Sequence, residues 1–375
     1  MSERERVAAA LAAIEEWIGP QGPPGVGAVV WRRGDIIGER YAGEARPGVA
    51  VGPETIFPLA SVTKPVAAAT ILTLVEAGIF GLDETAGRYV PDFRTGPPRD
   101  APGADPALEQ LRATITIRQL LCHVSGLPED VAGRLGRFTT PATLDQIVDV
   151  MCRLPLESAP GAELRYSNAG YGVLGRVVER ATDRPLWGAA RENVFAPLGL
   201  RNVFPGPPAD ALPRVAHLAD ATHAGTALET YNSPYWRGLQ APWAGLYGTP
   251  RDLARFAGAF LPGGDRIMSA AGIRAMTADQ TDGAPGGVES ARVVWPVGRW
   301  GLGWEVKGDK RRHWTGELTS AATFCHFGHA GTLLWADPAT GTALAVFANR
   351  AVSHMWTFIL DRWARLSNAV SAAVS

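Results

Sequence analysis

The chain has 375 residues, of which 46% are hydrophobic and 19% are charged, and its formal net charge is −1. A chain of this length and composition can bury a large core, which argues against intrinsic disorder. The balanced charge gives no electrostatic reason to expect nucleic acid or an anionic membrane as a partner, and no apolar run approaches the roughly 18 residues of a membrane-spanning helix.

The start of the chain lacks the pattern of a secretion signal. The first six residues alternate in charge sign, and only eight apolar residues follow before Glu15. Signal peptides need a net positive start and a cleavage site of small residues, so we expect a cytoplasmic protein. Cys122, Cys152 and Cys325 have neither metal-binding nor redox spacing, and we expect them to be buried free thiols.

The N-terminal region predicts a helix, a hairpin and a second helix. Apolar residues at helical spacing favour an amphipathic helix at the start of the chain. Two apolar segments, 25–31 and 36–41, flank a Gly-Asp turn and predict a β-hairpin. A helical pattern follows from about 61 to 80, with Gly78 placed to end the helix.

The rest of the chain changes from helices to strands. Between about 80 and 280, short helical stretches alternate with loops rich in Pro and Gly, and a closing helix is predicted from about 352 to 368. Four strands are predicted between these regions, at 300–306, 322–327, 332–336 and 342–347. Strands therefore cluster at both ends of the chain, which favours an α+β fold with an antiparallel sheet built from both termini.

Several common catalytic signatures are absent from the sequence. The chain has no Gly-x-Ser-x-Gly elbow, no phosphate-binding Gly-rich loop and no His-Glu-x-x-His zinc motif. His326 and His329 stand three positions apart, but no third ligand is spaced to join them. We therefore predict neither a metal nor a cofactor.

The first positive signal is Ser61 followed by Lys64 at the start of a predicted helix. Residues i and i+3 share a helix face, so the hydroxyl and the amine can meet. Only three of the 36 basic residues are Lys, and Lys, unlike Arg, can lose its proton. A partly buried Lys can take the proton of a Ser nucleophile. The alternative, a helix capped by Ser61 beside a solvated Lys64, fits poorly with the apolar flanks.

A second motif consists of Tyr166 and Asn168 in a loop-like stretch. Alone it would indicate an ordinary turn with a packed tyrosine. Together with the first motif, it supplies a phenol that can exchange protons with Lys64 and an amide that can hold the amine.

A third and weaker motif places His329, Gly331 and Thr332 at the opening of a predicted strand. A strand edge beside the nucleophile can offer a backbone N–H to an oxyanion, and glycine lets a substrate approach. His223 begins the same pattern in a polar, turn-like setting, which disfavours that copy. Trp236 lies in an aromatic loop and is predicted to line the substrate pocket, with core packing as the alternative.

In this order the three motifs resemble those of the serine β-lactamase and penicillin-binding-protein superfamily, and the nearest resemblance is to class C β-lactamases and family VIII carboxylesterases. The resemblance covers most of the chain. It implies a discontinuous sheet domain (1–80 and 290–375), a mostly helical domain (81–289) and an active site in the crevice between them.

The same resemblance implies a role for each motif residue. Ser61 would be the acyl-enzyme nucleophile, and Lys64 and Tyr166 would share the general-base and general-acid work, with the order of proton transfer left open. Asn168 would orient the lysine. The backbone N–H groups of Ser61 and Thr332 would form the oxyanion hole.

One departure from the resemblance favours an esterase. The β-lactamases of the superfamily usually carry Lys-Thr-Gly where this chain has His329, and a neutral imidazole pairs weakly with a substrate carboxylate. We therefore predict a carboxylesterase that acts on a small-molecule ester. The alternatives are a β-lactamase or D,D-peptidase, an acyltransferase with the same residues, and a binding protein without activity. The sequence leaves the natural substrate and the oligomeric state open.

Overall fold

The computed structural model describes residues 1–131 and 141–375. The strands are β1 (Gly25–Arg32), β2 (Asp35–Arg46), β3 (Val49–Ala50), β4 (Phe57–Pro58), β5 (Leu164–Arg165), β6 (Val203–Phe204), β7 (Tyr247–Gly248), β8 (Gly286–Val288), β9 (Val293–Trp295), β10 (Glu305–Val306), β11 (Phe324–Gly328), β12 (Thr332–Asp337) and β13 (Thr342–Ala348). The helices are α1 (Glu3–Leu11), α2 (Thr63–Glu76), α3 (Pro91–Thr95), α4 (Pro106–Leu111), α5 (Ile117–Leu121), α6 (Leu144–Cys152), α7 (Asn168–Thr182), α8 (Leu186–Ala190), α9 (Pro234–Leu239), α10 (Pro250–Gly258), α11 (Ala270–Thr277) and α12 (Trp356–Val374).

A seven-stranded sheet joins the two ends of the chain. Its strand order is β10-β11-β12-β13-β1-β2-β3, and every neighbouring pair is antiparallel. The N-terminal β1 pairs with the C-terminal β13, with Val29 opposite Ala345. All seven residues of β13 are buried. Helix α10 packs on the sheet at β1, β12 and β13, and α1 packs on β2 and against α12. A strand covered on both faces is uniformly apolar rather than alternating.

The predicted hairpin and the helix after it are present. Arg33 and Gly34 both have positive φ angles, of 50° and 101°, as a two-residue turn between twisted strands requires. Gly78, with φ of 73°, follows the end of α2 at Glu76, because a left-handed residue lets the chain leave a helix without steric cost. All three cysteines are buried and free, as predicted.

Two sequence-based boundaries are wrong. The predicted strand at 300–306 is reduced to β10, because residues 301–304 form a tight turn in which the Gly301 N–H donates to the Trp304 carbonyl at 2.8 Å. The closing helix extends to Val374, six residues beyond its predicted end. The predicted domain boundaries near 80 and 290 remain predictions, since apolar residues of the sheet and of the helices share one core.

Gly303 lets this turn pack against the helix that follows Ser61. Its φ is +89°, and a Cβ at this position would lie 2.4 Å from the Cβ of the buried Ala68. Gly48 has a similar φ of +75° but no heavy atom within 4 Å of its Cβ position. A comparison of alanine substitutions at the two glycines therefore distinguishes the free-energy cost of backbone strain from that of a steric clash.

We expect Gly303→Ala to lower the free energy of unfolding by about 2–4 kcal/mol, since it combines strain with overpacking. Gly48→Ala is expected to cost only about 1 kcal/mol, from strain alone. Urea denaturation of both variants measures the difference. Equal losses would show that the contact with Ala68 relaxes freely.

Within the described residues, no helix combines the length and the apolar character needed to cross a bilayer.

Candidate active site

Ser61 lies in a short 3-10 turn, Ala60–Val62, that leads directly into α2. Ala60 has φ of 47°, a left-handed conformation that costs a residue with a Cβ of the order of 1 kcal/mol. The surrounding backbone holds it there, because the Leu59 N–H donates to the Leu246 carbonyl at 2.9 Å and the Thr332 hydroxyl donates to the Leu59 carbonyl at 2.9 Å. The bend turns Ser61 toward the cavity that it lines.

Lys64 lies one helical turn beyond Ser61 and is fully buried. Its Nζ is 3.1 Å from Ser61 Oγ, 2.7 Å from Asn168 Oδ1 and 3.0 Å from the Trp243 carbonyl oxygen. Burial lowers the pKa of Lys64 to about 7, although the charges of Glu129 and Asp130 oppose that shift. The neutral amine is therefore accessible near pH 7.

The partners of the neutral amine decide what it can do. Asn168 Oδ1 and the Trp243 carbonyl are both acceptors, so they take the two N–H groups of a neutral Lys64. The amine lone pair is then left for the third neighbour, the hydroxyl of Ser61. This arrangement suits proton abstraction from Ser61.

Asn168 is held in one orientation by groups on both sides. It begins α7, and its Nδ2 donates to Asp130 Oδ2 at 3.4 Å, which leaves Oδ1 facing Lys64. Its backbone N–H donates to the Glu129 carbonyl at 2.7 Å. A carboxylate accepts but cannot donate, so Asp130 fixes which end of the amide meets the lysine.

Tyr166 completes the group around Ser61. It lines the same cavity as Ser61, whose hydroxyl is near enough to lower the pKa of the phenol, and Lys64 Nζ lies 4.6 Å from the centre of its ring. Burial raises the pKa of Tyr166 well above its ordinary value, the reverse of the shift at Lys64. Tyr166 is therefore protonated at neutral pH and can donate a proton.

His123 supports this tyrosine from behind. Its ring centre lies 4.6 Å from that of Tyr166, and its Nδ1 accepts a hydrogen bond from the Ser167 N–H at 3.0 Å. Burial holds the pKa of His123 well below its ordinary value, so the ring is neutral. His123 is not among the residues that line the cavity.

The third motif is placed differently from the sequence prediction. His329 lines the cavity, but Gly331 and Thr332 do not. A Cβ on Gly331 would lie 2.8 Å from the Arg350 carbonyl oxygen, on the far side of the hairpin, and the side chain of Thr332 is fully buried against Leu59. The predicted use of the Thr332 N–H is therefore not supported by its position.

A second His-x-Gly, at His326 and Gly328, is the copy that faces Ser61. A Cβ on Gly328 would lie 2.4 Å from the Leu59 carbonyl oxygen and 3.1 Å from the Cβ of Ala60, so the end of β11 lies directly against the turn that carries Ser61. From the sequence alone, His326 is a candidate only as a metal ligand. The repeated pattern three residues upstream of His329 was the signal that could have identified it.

Two backbone N–H groups at this contact are candidates for binding an oxyanion. Within the described residues, the N–H groups of Ser61 and His329 donate no hydrogen bond. His329 follows Gly328 directly, so both groups lie where the end of β11 meets the turn of Ser61. Free N–H groups of this kind can stabilise an oxyanion.

These residues surround a cavity of about 270 Å³. Its described lining residues are Ser61, Glu129, Asp130, Tyr166, Asn168, Thr230, Tyr231, Trp236, Trp243, Ala244, Val288, Ser290, Trp300, Glu305, His326, Phe327 and His329. Trp236 lies on this wall, with its ring centre 5.7 Å from that of Tyr231. A cavity of this size suits a small molecule.

The family follows from comparison with known proteins. A family model described as Beta-lactamase matches residues 8–366. The chain belongs to the beta-lactamase family. It is 34% identical over 261 residues to Esterase EstB of Burkholderia gladioli. This match covers 62% of this chain and 64% of the esterase, so the matched region spans less than two thirds of that relative.

Two further comparisons concern a relative in sequence and a neighbour in fold. A putative D-alanyl-D-alanine carboxypeptidase of Escherichia coli O157:H7 is 27% identical over 384 residues, covering 91% of this chain and 82% of the relative. The solved structure of EstCE1, described as a hydrolase with promiscuous acyltransferase activity, has a TM-score of 0.77 at 22% identity and covers 98% of this chain and 99% of its own. The predicted fold class and family resemblance are confirmed.

A buried polar cluster at the back of this beta-lactamase-family site does not have the character of a metal centre. Glu305, His313 and Cys325 form the one group of three potential ligands, within the described residues, that lies inside a single coordination sphere. The ammonium of Lys310 is 2.8 Å from Glu305 Oε1 and already supplies a positive charge there. Burial also raises the pKa of Cys325 well above its ordinary value, so the sulfur keeps its proton.

Proposed function

We propose that this protein hydrolyses small carboxylic esters through an acyl-enzyme on Ser61. The observation that carries the proposal is the 3.1 Å contact between Ser61 Oγ and Nζ of a buried Lys64 whose pKa is lowered to about 7. A serine becomes an effective nucleophile only beside a group that can take its proton.

Acylation begins with the transfer of the Ser61 proton to the lone pair of Lys64. Ser61 Oγ then attacks the ester carbonyl, and the carbonyl oxygen becomes negatively charged. We assign the stabilisation of this oxygen to the backbone N–H groups of Ser61 and His329, which have no other partner among the described residues. The assignment replaces Thr332, the donor expected from the sequence, with His329.

The opposite pKa shifts of the two titrating groups order the proton transfers. Lys64, with its lowered pKa, is the base, and Tyr166, with its raised pKa, is the acid that protonates the departing alcohol. The protonated lysine, whose Nζ lies 4.6 Å from the centre of the Tyr166 ring, then returns a proton to the tyrosinate. In deacylation, water attacks the acyl carbonyl and gives a proton to Lys64. The bond between the acyl group and Ser61 Oγ then breaks, and the ammonium of Lys64 returns the proton to Ser61 Oγ.

The charge of the cavity favours neutral or cationic esters over substrates that end in a carboxylate. Burial lowers the pKa of His326 to about 3. Partial desolvation and the nearby His354 lower the pKa of His329, although that residue remains exposed at the rim. Both imidazoles are therefore neutral at pH 7. Among the described residues, no Lys or Arg lines the cavity, and Lys64 is the one such residue in contact with Ser61.

The test is kcat/KM for p-nitrophenyl butyrate and for nitrocefin, measured with wild type and Ser61→Ala. Ester turnover that exceeds lactam turnover and disappears in the variant supports the proposal. Dominant nitrocefin turnover would instead favour the β-lactamase or D,D-peptidase alternative. Added alcohols test acyl transfer, because a transferase would convert the butyryl group to a new ester rather than to butyrate.

The acid limb of the pH profile is expected to follow Lys64. Since the neutral amine is the active form, kcat/KM should rise with pH through about 7. The charge of Glu129 favours the ammonium form, so Glu129→Gln should lower the pKa of Lys64 and move the limb to lower pH by up to about one unit. Asp361→Asn, which removes an exposed charge on α12, should leave it unchanged. A shift to higher pH would contradict this role of Lys64.

A further inference from the structure

Two carboxylates on the cavity wall have no cationic partner among the residues that the structure describes. Glu129 Oε2 accepts from the Ser290 N–H at 2.9 Å, and Asp130 accepts from the Val131 N–H at 2.7 Å and from Asn168 Nδ2 at 3.4 Å. Within the described residues, neither forms an ion pair. Burial in the crevice raises the pKa of both carboxyl groups, a cost that a bound cation would offset.

His326 adds an independent unmet acceptor on the same wall. Its Nδ1 lies 2.8 Å from the Phe327 carbonyl oxygen, and because a carbonyl only accepts, Nδ1 must carry the proton. The opposite nitrogen, Nε2, is then a lone-pair acceptor. This atom is buried and has no hydrogen-bond partner, in a residue that is only 3% exposed. A buried acceptor without a donor is costly, and an N–H of a ligand would satisfy it.

The other charged groups near the cavity are already matched. The carboxylate of Glu305 faces Lys310 at 2.8 Å and His313 at 2.9 Å. Lys64 is engaged by Ser61, Asn168 and the Trp243 carbonyl. Along the described wall, the charged groups still without a counterpart are therefore the two carboxylates, whereas the unpartnered donors, the Trp300 indole N–H and the backbone N–H groups of Ser61 and His329, are neutral.

We propose that the cavity recognises a protonated amine, so that the preferred substrates are small carboxylic esters that carry a primary or secondary ammonium group. Glu129 and Asp130 would supply the opposite charge, and His326 Nε2 would accept an N–H. A metal ion is a poorer occupant, because Glu129, Asp130 and His326 do not meet within one coordination sphere. The ester part of this inference rests on the proposed function, whereas the ammonium preference rests on the wall itself.

Three ethyl esters of matched shape test the preference. Ethyl 3-aminopropanoate, ethyl butanoate and monoethyl succinate place an ammonium, a methyl or a carboxylate group at the same position. With wild type, we expect kcat/KM for the ammonium ester to exceed that for butanoate by about 10- to 100-fold, and the succinate ester to be the slowest. Equal rates for ammonium and methyl, or a faster succinate ester, would overturn the proposal.

Matched variants assign the preference to the wall. The ratio of the ammonium rate to the methyl rate should fall toward one in Glu129→Gln/Asp130→Asn. It should persist in Glu192→Gln/Asp361→Asn, which removes two exposed charges away from the cavity. The ratio should also fall in His326→Leu and be retained in His326→Gln, which keeps an acceptor. Because each ratio is taken within one variant, a general loss of activity cancels.

A second readout separates failure of this inference from failure of the proposed function. Two p-nitrophenyl ethyl phosphonates, one with a 3-aminopropyl group and one with a butyl group, can each label Ser61 without ester turnover. If no ester is hydrolysed, the esterase proposal fails, yet faster labelling by the aminopropyl compound still supports the ammonium preference. Equal labelling by both compounds would overturn it.

Discussion

Replacing Ser61 with Ala is expected to abolish ester turnover, with kcat falling by about 1,000-fold or more. Ser61 Oγ is the atom that the buried Lys64 and Tyr166 both approach, and alanine leaves nothing there to form the acyl-enzyme. The fold should survive, because the turn at this position is held by Leu59 and Thr332.

The control for this variant is Ser353→Ala, which changes an exposed serine outside the cavity lining. It should keep wild-type kcat and thermal stability. A Ser61→Ala protein that retained a tenth of the wild-type kcat would show that another residue is the nucleophile.

The second large effect is expected for Lys64→Arg. The substitution keeps the positive charge but removes a group that can be neutral near pH 7, since the guanidinium does not lose its proton in proteins. Loss of general-base catalysis should lower kcat by about 100- to 10,000-fold. Lys64→Met, which removes the charge but keeps a side chain of similar length, should be equally inactive. If both variants are inactive, the reaction requires a group that can take a proton, and a positive charge alone is not sufficient.

Lys307→Arg is the matched control for that experiment. Lys307 is also buried, but its Nζ is bonded to the Thr319 hydroxyl at 2.8 Å, outside the cavity lining. We expect this variant to retain wild-type activity, while melting temperatures of both Arg variants report any packing cost. An active Lys64→Arg enzyme would contradict the role of Lys64 as base.

The contact between Ser61 and Lys64 could be predicted because it depends on local spacing. Ser61 and Lys64 share a helix face because they are three residues apart at the start of α2. The hairpin of β1 and β2 follows in the same way from its two-residue turn. Tyr166 and Asn168 lie more than 100 residues further on, and only their motif, not any spacing, connected them with Lys64.

The errors occurred where three-dimensional packing decides between similar local patterns. His326 and His329 both begin a His-x-Gly, and only the packing of Gly328 against Ala60 selects the first copy. The length of β10 likewise depends on the contact of Gly303 with α2. Local sequence carries no information about either contact.

The charge of the cavity was also invisible in the sequence. Glu129 and Asp130 belong to no motif, and their importance arises from their distance to Lys64 and from the lack of a cationic partner among the described residues. The tautomer of His326 similarly depends on one hydrogen bond to the Phe327 carbonyl. These features come from tertiary structure, and they point to the charge of the substrate rather than to the type of reaction.

The central claim is that the reaction passes through an acyl group on Ser61, and mass spectrometry of the rapidly quenched enzyme tests it most directly. Mixing with excess p-nitrophenyl butyrate and quenching in acid within the first turnovers should give a protein heavier by one butyryl group, located on the peptide that contains Ser61. The added mass should be absent from Ser61→Ala. A butyryl group on another residue, or turnover with no acylated protein at any quench time, would contradict the account.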